Sequence, residues 1–543
     1  MNIKVCSTLF AGLILIIPVT LADSINDTYS SGDTLTATTM NNIKSAVNDN
    51  DSRITSNRDD ITRNNAGITT NASEIADNFN LINQNVGDIS DLQSGRAPVA
   101  RNVIDIDCDA NPDALIEPPY SDHFYPNTTF NITGDCNGPI IVSSDHVRLV
   151  GAEPNRAASI VLPNPVTPPA SVSDGAIFVD GAHDFRVENL TVDVSLWGSQ
   201  AIAAGTDAAG VYARNAFVRL IDVDVVGGLY GINPFRNAII RLQGTVNITE
   251  FVNEGITSGD QSLVTTRGQV NVSSTRSDGN YMNGVGAYRS GVVDFRAGIV
   301  VTVPDQLDNT GSPSAIESGD YSHVRIRSAG SINITGGNAL SLYRSGTIVM
   351  LAGTLNGEVY VGRKSLLQLS NIVHPTGHIH LDDTASLSAF NVTQLQGFTA
   401  SSNSVVSIDG GTVVDGDIEL NGGSRLNFNN SEQDPSFPLD LKQKSSAAIY
   451  NSDVGELTLD MGSTLDMSNS TFAGGEINRV SVASIYDSST SADLSAFQSF
   501  LDYAASGPGN YLDGNQLWDC SAISLFADSN VSASGTVTIG CPP

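Results

Sequence analysis

The sequence predicts an all-β solenoid carried behind a helical coiled coil, and two patterns support that expectation. Between Ser345 and Met467 one phrase returns seven times, opening at Ser345, Ser365, Ser386, Ser404, Ser424, Ser446 and Ser463, as in Ser404-Val-Val-Ser-Ile408 and Ser424-Arg-Leu-Asn-Phe428. Each serine leads a brief alternation of apolar and other residues that suits a strand of about five residues. Strands that short cannot bury a face alone, so successive repeats must stack on one another. From Met40 to Leu92 a strict heptad takes over, which is the second pattern.

The chain has 543 residues, 40% of them hydrophobic, with a mean hydropathy of −0.03, which places it among ordered proteins. Its 27 basic and 58 acidic side chains give a net charge of −31. That balance argues against a nucleic-acid partner or an anionic membrane surface, since both require clustered Lys and Arg. Acidic solubility is the plain reading of the charge, and a surface loaded with Ca²⁺ is the alternative. No other cofactor is expected.

Residues 1–22 read as an export signal: Lys4, an apolar run from Leu9 to Val19 too short to span a bilayer, then Thr20-Leu21-Ala22 as a cleavage site. Cleavage removes Cys6 and leaves Cys108, Cys136, Cys520 and Cys541, an even count that suits an oxidising compartment. Of the three pairings open to them, Cys108 with Cys136 and Cys520 with Cys541 are expected, because each would clip one end of the repeat region.

Residues 38–93 read as a stalk. Met40, Val47, Ile54, Ile61, Ile68, Ile75, Ile82 and Ile89 fall at heptad position a, and Ile43, Asn50, Asn57, Asn64, Asn71, Asn78, Asn85 and Leu92 at position d. Such a helix has too few apolar residues to fold alone and must find partners. The Ile-x-x-Asn repeat, as in Ile68-Thr-Thr-Asn71, resembles the stalks of trimeric autotransporter adhesins. The resemblance implies a parallel homotrimer whose seam asparagines face inward around bound anions. A dimeric coiled coil with polar d positions is the alternative. Those adhesins end in a membrane barrel, whereas this chain ends Gly540-Cys-Pro-Pro543 without aromatic barrel strands, so no integral membrane anchor is expected. Residues 94–103, with Gly95 and Pro98, form a linker.

Residues 104–485 form the body. Phrases such as Val187-Glu-Asn-Leu-Thr-Val192 resemble the corners of right-handed, single-stranded parallel β-helices of the pectin-lyase-like superfamily, whose architecture they imply without naming an activity. Longer excursions are expected at residues 163–172, 249–265 and 304–320, where a binding surface would sit. Residues 486–543 are expected to cap the solenoid, with a helix over residues 491–503 and the Cys520–Cys541 clip.

A second series precedes the serine phrases: Arg214, Arg236, Arg267, Arg289, Arg344 and Arg363, with Tyr212, Tyr288 and Tyr343 beside several of them. Arginine can grip carboxylates bidentately and tyrosine can stack on a sugar ring, so an acidic polysaccharide could lie along such a file. The alternative is that these arginines pair with acidic residues of neighbouring coils.

Catalytic signatures are thin. The paired carboxylates and histidine phrases of polygalacturonase-like hydrolases are missing. Tyr230-Gly-Ile-Asn-Pro-Phe235 resembles the Tyr-Gly-Phe-Asp-Pro-His phrase of mannuronan epimerases, but Asn233 and Phe235 replace its acid and base. His374, His378 and His380 lack metal-ligand spacing, and no metal site is expected. The sequence therefore points to a secreted or cell-surface trimer, structural or adhesive, whose partners are itself and an acidic polysaccharide or a host or neighbouring cell surface. The bacterial periplasm is the alternative location. A polysaccharide lyase or uronan epimerase is the rival function, and a tailspike-like phage fibre fits the trimer and the β-helix but not the export signal.

Overall fold

A computed structural model describes residues 44–45, 48–49, 54–57, 102–120, 124–163, 175–197, 208–276, 282–303, 313–328, 330–478, 481–486, 488–490, 494–497 and 500–504. The chain divides into two compact units, Met1–Val99 and Ala100–Pro543. In the first, Lys44, Ser45, Asn48, Asp49 and residues 54–57 are helical, and Ile54 is 64% exposed in the single chain. Asn57 is the one seam asparagine among the described residues; Asn50, Asn64, Asn71, Asn78 and Asn85 lie outside them.

The second unit is a parallel β-solenoid. Each regular coil contributes three strands, for example Val405–Asp409, Val413–Val414 and Ile418–Leu420. Each of these pairs in parallel with its counterpart one coil on. The first strands of all coils make an 18-stranded sheet, the first face. The second and third strands form two further faces, which join where Ser331–Leu342 and Gly353–Val361 continue across the corner between them with shifts in register.

Alternation explains what fills the interior. First-face strands read exposed-buried in turn, so one inward column runs Val218, Ile240, Val264, Val293, Val324, Ile348, Leu367, Leu387, Val406 and Leu426, each at most 2% exposed. β-Branched and leucine side chains suit a stacked, fully buried sheet, and each contributes roughly 1.5–3 kcal/mol by leaving water.

The chain enters the first face through a tight turn with two successive left-handed residues, as at Arg344 (φ 47°) and Ser345 (φ 66°), or Ser402 (φ 54°) and Asn403 (φ 63°). Those angles are the ones a type I′ turn demands. Directly after it comes a column of small residues: Ala216, Ala238, Ser262, Gly291, Ser322, Gly346, Ser365, Ala385, Ser404, Ser424, Ser445, Ser463 and Ser481. The serine phrase of the sequence is this column. It slips by one residue at Ser345, Ser386 and Ser446, where Gly346, Ala385 and Ser445 take the inward place. The serine hydroxyls donate back to the turn, Ser404 to the Ser401 carbonyl at 2.6 Å and Ser424 to that of Asn421 at 2.7 Å.

The exit corner is built otherwise. Asn189, Asn371, Asn391, Asn430, Asn451 and Asn469 all take positive φ there, the conformation asparagine tolerates best after glycine. Asn189 lies within the Val187-Glu-Asn-Leu phrase and donates to the Gly151 and Glu153 carbonyls, so that phrase does turn a corner.

Three expectations are corrected. The solenoid strands begin at Asn102 and continue to Ala504, beyond the 104–485 expected. Instead of a helix over residues 491–503, Leu494–Phe497 and Phe500–Ala504 are strands that pair with Gly475–Asn478 and Val482–Tyr486. An open edge of unpaired amides offers a ready template, and it outweighs a short helical pattern. Residues 249–265 are no excursion, since they hold the third-face strand Glu254–Ser258 and the next turn. Cys108 and Cys136 form the expected disulfide, with Cα atoms 5.0 Å apart; Cys520 and Cys541 lie outside the described residues.

Ser424 tests the small column. Replacing it with Ala removes its bond to the Asn421 carbonyl and the one it accepts from the Ser404 amide (3.2 Å), and should cost about 1 kcal/mol. Ser424→Leu, overpacked between the buried Ser404 and Ser445, should cost about 3 kcal/mol in chemical denaturation. Equal midpoints for Ser424→Leu and the parent would remove the packing role.

Candidate functional site

The expected arginine file proves to be a mixed row. Arg236, Arg289, Arg344 and Arg363 share the first left-handed position of the turn, but Asp260 and Asp320 hold the same position in the coils between them. Opposite charges stacked about 4.8 Å apart attract. Arg289 Nη1 lies 3.5 Å from Asp260 Oδ1 and Arg344 Nη1 lies 3.4 Å from Asp320 Oδ1. Arg214 ends a third-face strand and pairs with Asp180 at 2.5 Å. Arg267 is elsewhere, at the exit end of the first face, because Gly268 stacks on Gly244 and not on the small column.

Nor are the tyrosines equivalent. Tyr288 folds back over Gly286 and Tyr343 over Gly319; a Cβ on those glycines would come within 2.6 and 2.4 Å of the rings, so only glycine permits the fold-back. The Tyr288 hydroxyl donates to Glu254 Oε1 at 2.6 Å, and Tyr343 is hydrogen-bonded to Glu317. Neither ring is free to stack on a sugar. Tyr212 differs: it is half-buried and lies between Phe178 and Phe235, with centroids 5.5 and 6.3 Å away. Arg214 sits over Phe178 at 5.5 Å and Arg236 over Phe235 at 5.2 Å. Next to them opens a hollow of about 350 Å³ lined by Asn215, Arg236, Asn237, Asp260, Gln261 and Arg289. An aromatic strip beside amide, guanidinium and carboxylate groups can hold a pyranose ring by its apolar face and its hydroxyls at once.

The basic residues that sequence reading missed lie on the outward side of the first face. Arg148, Arg186, Arg219 and Arg241 stack in register on four successive coils, and the same column continues through Thr265 and Asp294 to Arg325. Two residues along, Arg267, Arg296 and Arg327 stand on successive coils. The signal was present: Val147-Arg-Leu149, Phe185-Arg-Val187, Val218-Arg-Leu220, Ile240-Arg-Leu242 and Val324-Arg-Ile326 each place one arginine between two inward apolar residues.

A polar cluster lies under the folded-back tyrosines, with Glu254 and Asn283 buried and Thr257, Tyr288 and Glu317 half-buried. Asn283 Nδ2 donates to Glu317 Oε2 at 2.7 Å and to the Tyr288 hydroxyl at 3.0 Å, and Thr257 donates to Glu254. Burial pushes the Glu254 carboxyl up to about 7 against the hydrogen bonds from Thr257 and Tyr288, and it raises Glu317 as well. His378 and His380 stand 4.9 Å apart, with His380 Nε2 3.3 Å from Glu358; His374 is buried. No group of acidic, histidine or cysteine side chains suited to a metal occurs among the described residues. No protein-family model matches the chain, and no curated protein matches it.

The raised Glu254 makes stability depend on pH. Its carboxyl ionises near 4.5 when unfolded and near 7 in the native state, so its stabilisation is complete below pH 4.5 and is lost as pH rises to about 7. That loss should be about 3 kcal/mol, read as the change with pH in the stability difference between the parent and Glu254→Gln. A difference that stays constant from pH 4.5 to 8 would refute it.

Proposed function

We propose that the chain is an exported homotrimeric protein of the cell surface or extracellular space, structural or adhesive in role, whose solenoid binds acidic polysaccharide. The observation that carries the reading is the strip of Phe178, Tyr212 and Phe235 flanked by Arg214 and Arg236, beside the hollow that reaches Arg289. The strip stacks on sugar rings, and the guanidinium of Arg236, which has no ion pair among the described residues, takes their carboxylates. Trimerisation adds avidity, so that weak sites on three bodies act together. The exposed Ile54 at a seam position supports the need for partner helices.

Tyr212→Ala and Arg236→Ala should each weaken retention on immobilised polygalacturonate about tenfold while leaving the thermal midpoint within a degree or two; unchanged retention in both would refute the edge as the binding site. Light scattering on the protein after removal of residues 1–22 should give a trimer mass, and a monomer mass would remove the stalk reading.

The lyase or epimerase reading is favoured by one feature, the Glu254, Tyr288 and Glu317 cluster, which unites a carboxyl protonated near neutrality with a tyrosine hydroxyl. The carboxyl of Glu254 is buried, and the Tyr288 hydroxyl is tied up in donating to it. Incubation with alginate or pectin should therefore yield no unsaturated uronate and no change in epimer ratio, and turnover lost in Glu254→Gln would establish the enzyme instead.

A further inference from the structure

We infer that the outward side of the first face, from Arg148 to Arg327, is a separate binding surface for a linear polyanion, centred on Arg241 and suited to a carboxylate- or sulfate-bearing polysaccharide. The inference rests on the preceding reading for its ligand class, but it uses none of the same residues.

The charge there opposes that of the whole molecule. Against a net charge of −31, the two first-face columns gather Arg148, Arg186, Arg219, Arg241, Arg267, Arg296, Arg325 and Arg327, and among the described residues only Asp184, Glu188 and Asp294 pair with them. These acids are already engaged. Glu188 holds Arg148 at 2.6 Å; Asp184 holds Arg186 at 2.9 Å and Arg219 at 3.0 Å; Asp294 holds both Arg296 and Arg327 at 2.8 Å. Arg241, Arg267 and Arg325 have no ion pair among the described residues. In the turn row Arg289 and Arg344 are each relieved by the aspartate one coil before them; Arg241 has Arg219 one coil before it and Thr265 one coil after, and neither can relieve it.

Arg241 shows the consequence. Its Nε is covered and without a hydrogen-bond partner, and its guanidinium shares the Phe217 ring with that of Arg219, at 5.3 and 5.0 Å. Burial and the charges of Arg267, Arg219 and Arg296 all weaken its hold on its proton. Like charges held this close are costly, and an anion seated among them would remove the cost.

The spacing selects the ligand. Arginines in one column repeat about every 4.8 Å along the solenoid, and the two columns stand about 7 Å apart across it. A sugar in an extended chain advances the polymer by about one coil, so acidic sugars can meet successive arginines in step. Single-stranded nucleic acid needs aromatic platforms for its bases, and the Phe217 ring beside Arg241 already lies under two guanidinium groups.

The test uses the full chain with dextran sulfate, polygalacturonate, neutral dextran and single-stranded polythymidylate as probes. The parent should bind dextran sulfate or polygalacturonate but not neutral dextran, with affinity falling as salt rises. Arg241→Gln combined with Arg267→Gln should bind at least tenfold more weakly, with a salt slope shallower by about two. Arg241→Lys should keep most of the slope, and Tyr212→Ala should keep all of it. The thermal midpoint of Arg241→Gln should equal or exceed the parent's. Unchanged polysaccharide binding by the double variant, binding to polythymidylate alone, or a lowered midpoint for Arg241→Gln would each overturn the inference. Loss of binding in Tyr212→Ala with the double variant unaffected would leave the edge reading standing and remove this one; the reverse would do the opposite.

Discussion

The rest of the structure depends on parallel, in-register pairing of each coil with the next. Once backbone amides and carbonyls are committed to that pairing, a residue's place in its coil decides its neighbours, which are the residues at the same place one coil before and one after. A sequence position becomes a column. Inward columns can be apolar throughout, as from Val218 to Leu426. Corner columns must accept left-handed backbone, and so gather Asn, Asp and Gly.

Outward columns are where stacking works against the chain. Identical charges lie one strand spacing apart with no freedom to separate, so each arginine column needs relief from beside it or from beyond the molecule. The turn row is relieved internally by Asp260 and Asp320. On the first face, Asp184 and Glu188 relieve the earliest coils and Asp294 the later ones, which leaves the excess at Arg241 between them. The buried Glu254 and the half-buried Glu317 meet the same constraint differently: the two carboxyls lie two coils apart, share Asn283 and Tyr288 between them, and desolvation raises the pKa of both.

How much of this was legible in the sequence follows from the same geometry. The solenoid was, because alternation and repeat length survive an error of one residue in phase. Site positions were not, because such an error moves a side chain from one face to the other. Taking Ser345, Ser386 and Ser446 as equivalent to Ser365 left the fold unchanged. Taking Arg267 as equivalent to Arg236 joined two ends of one face into a single file. Tyr288 and Tyr343 failed for another reason: Tyr288 lies over Gly286, two residues before it, and Tyr343 over Gly319, one coil before it, and the apolar alternation announces neither contact. The arginine column was available in the five apolar-Arg-apolar phrases but was hidden by their uneven spacing.

The coils from Ser386 to Ser468 differ little from one another in strand length or corner residues, and each meets only its two neighbours. A coil there can be duplicated or lost in evolution at the cost of one interface, with the aromatic edge and the arginine face keeping their own registers. The length of this part of the molecule is therefore free to drift, or to be selected, independently of the earlier coils.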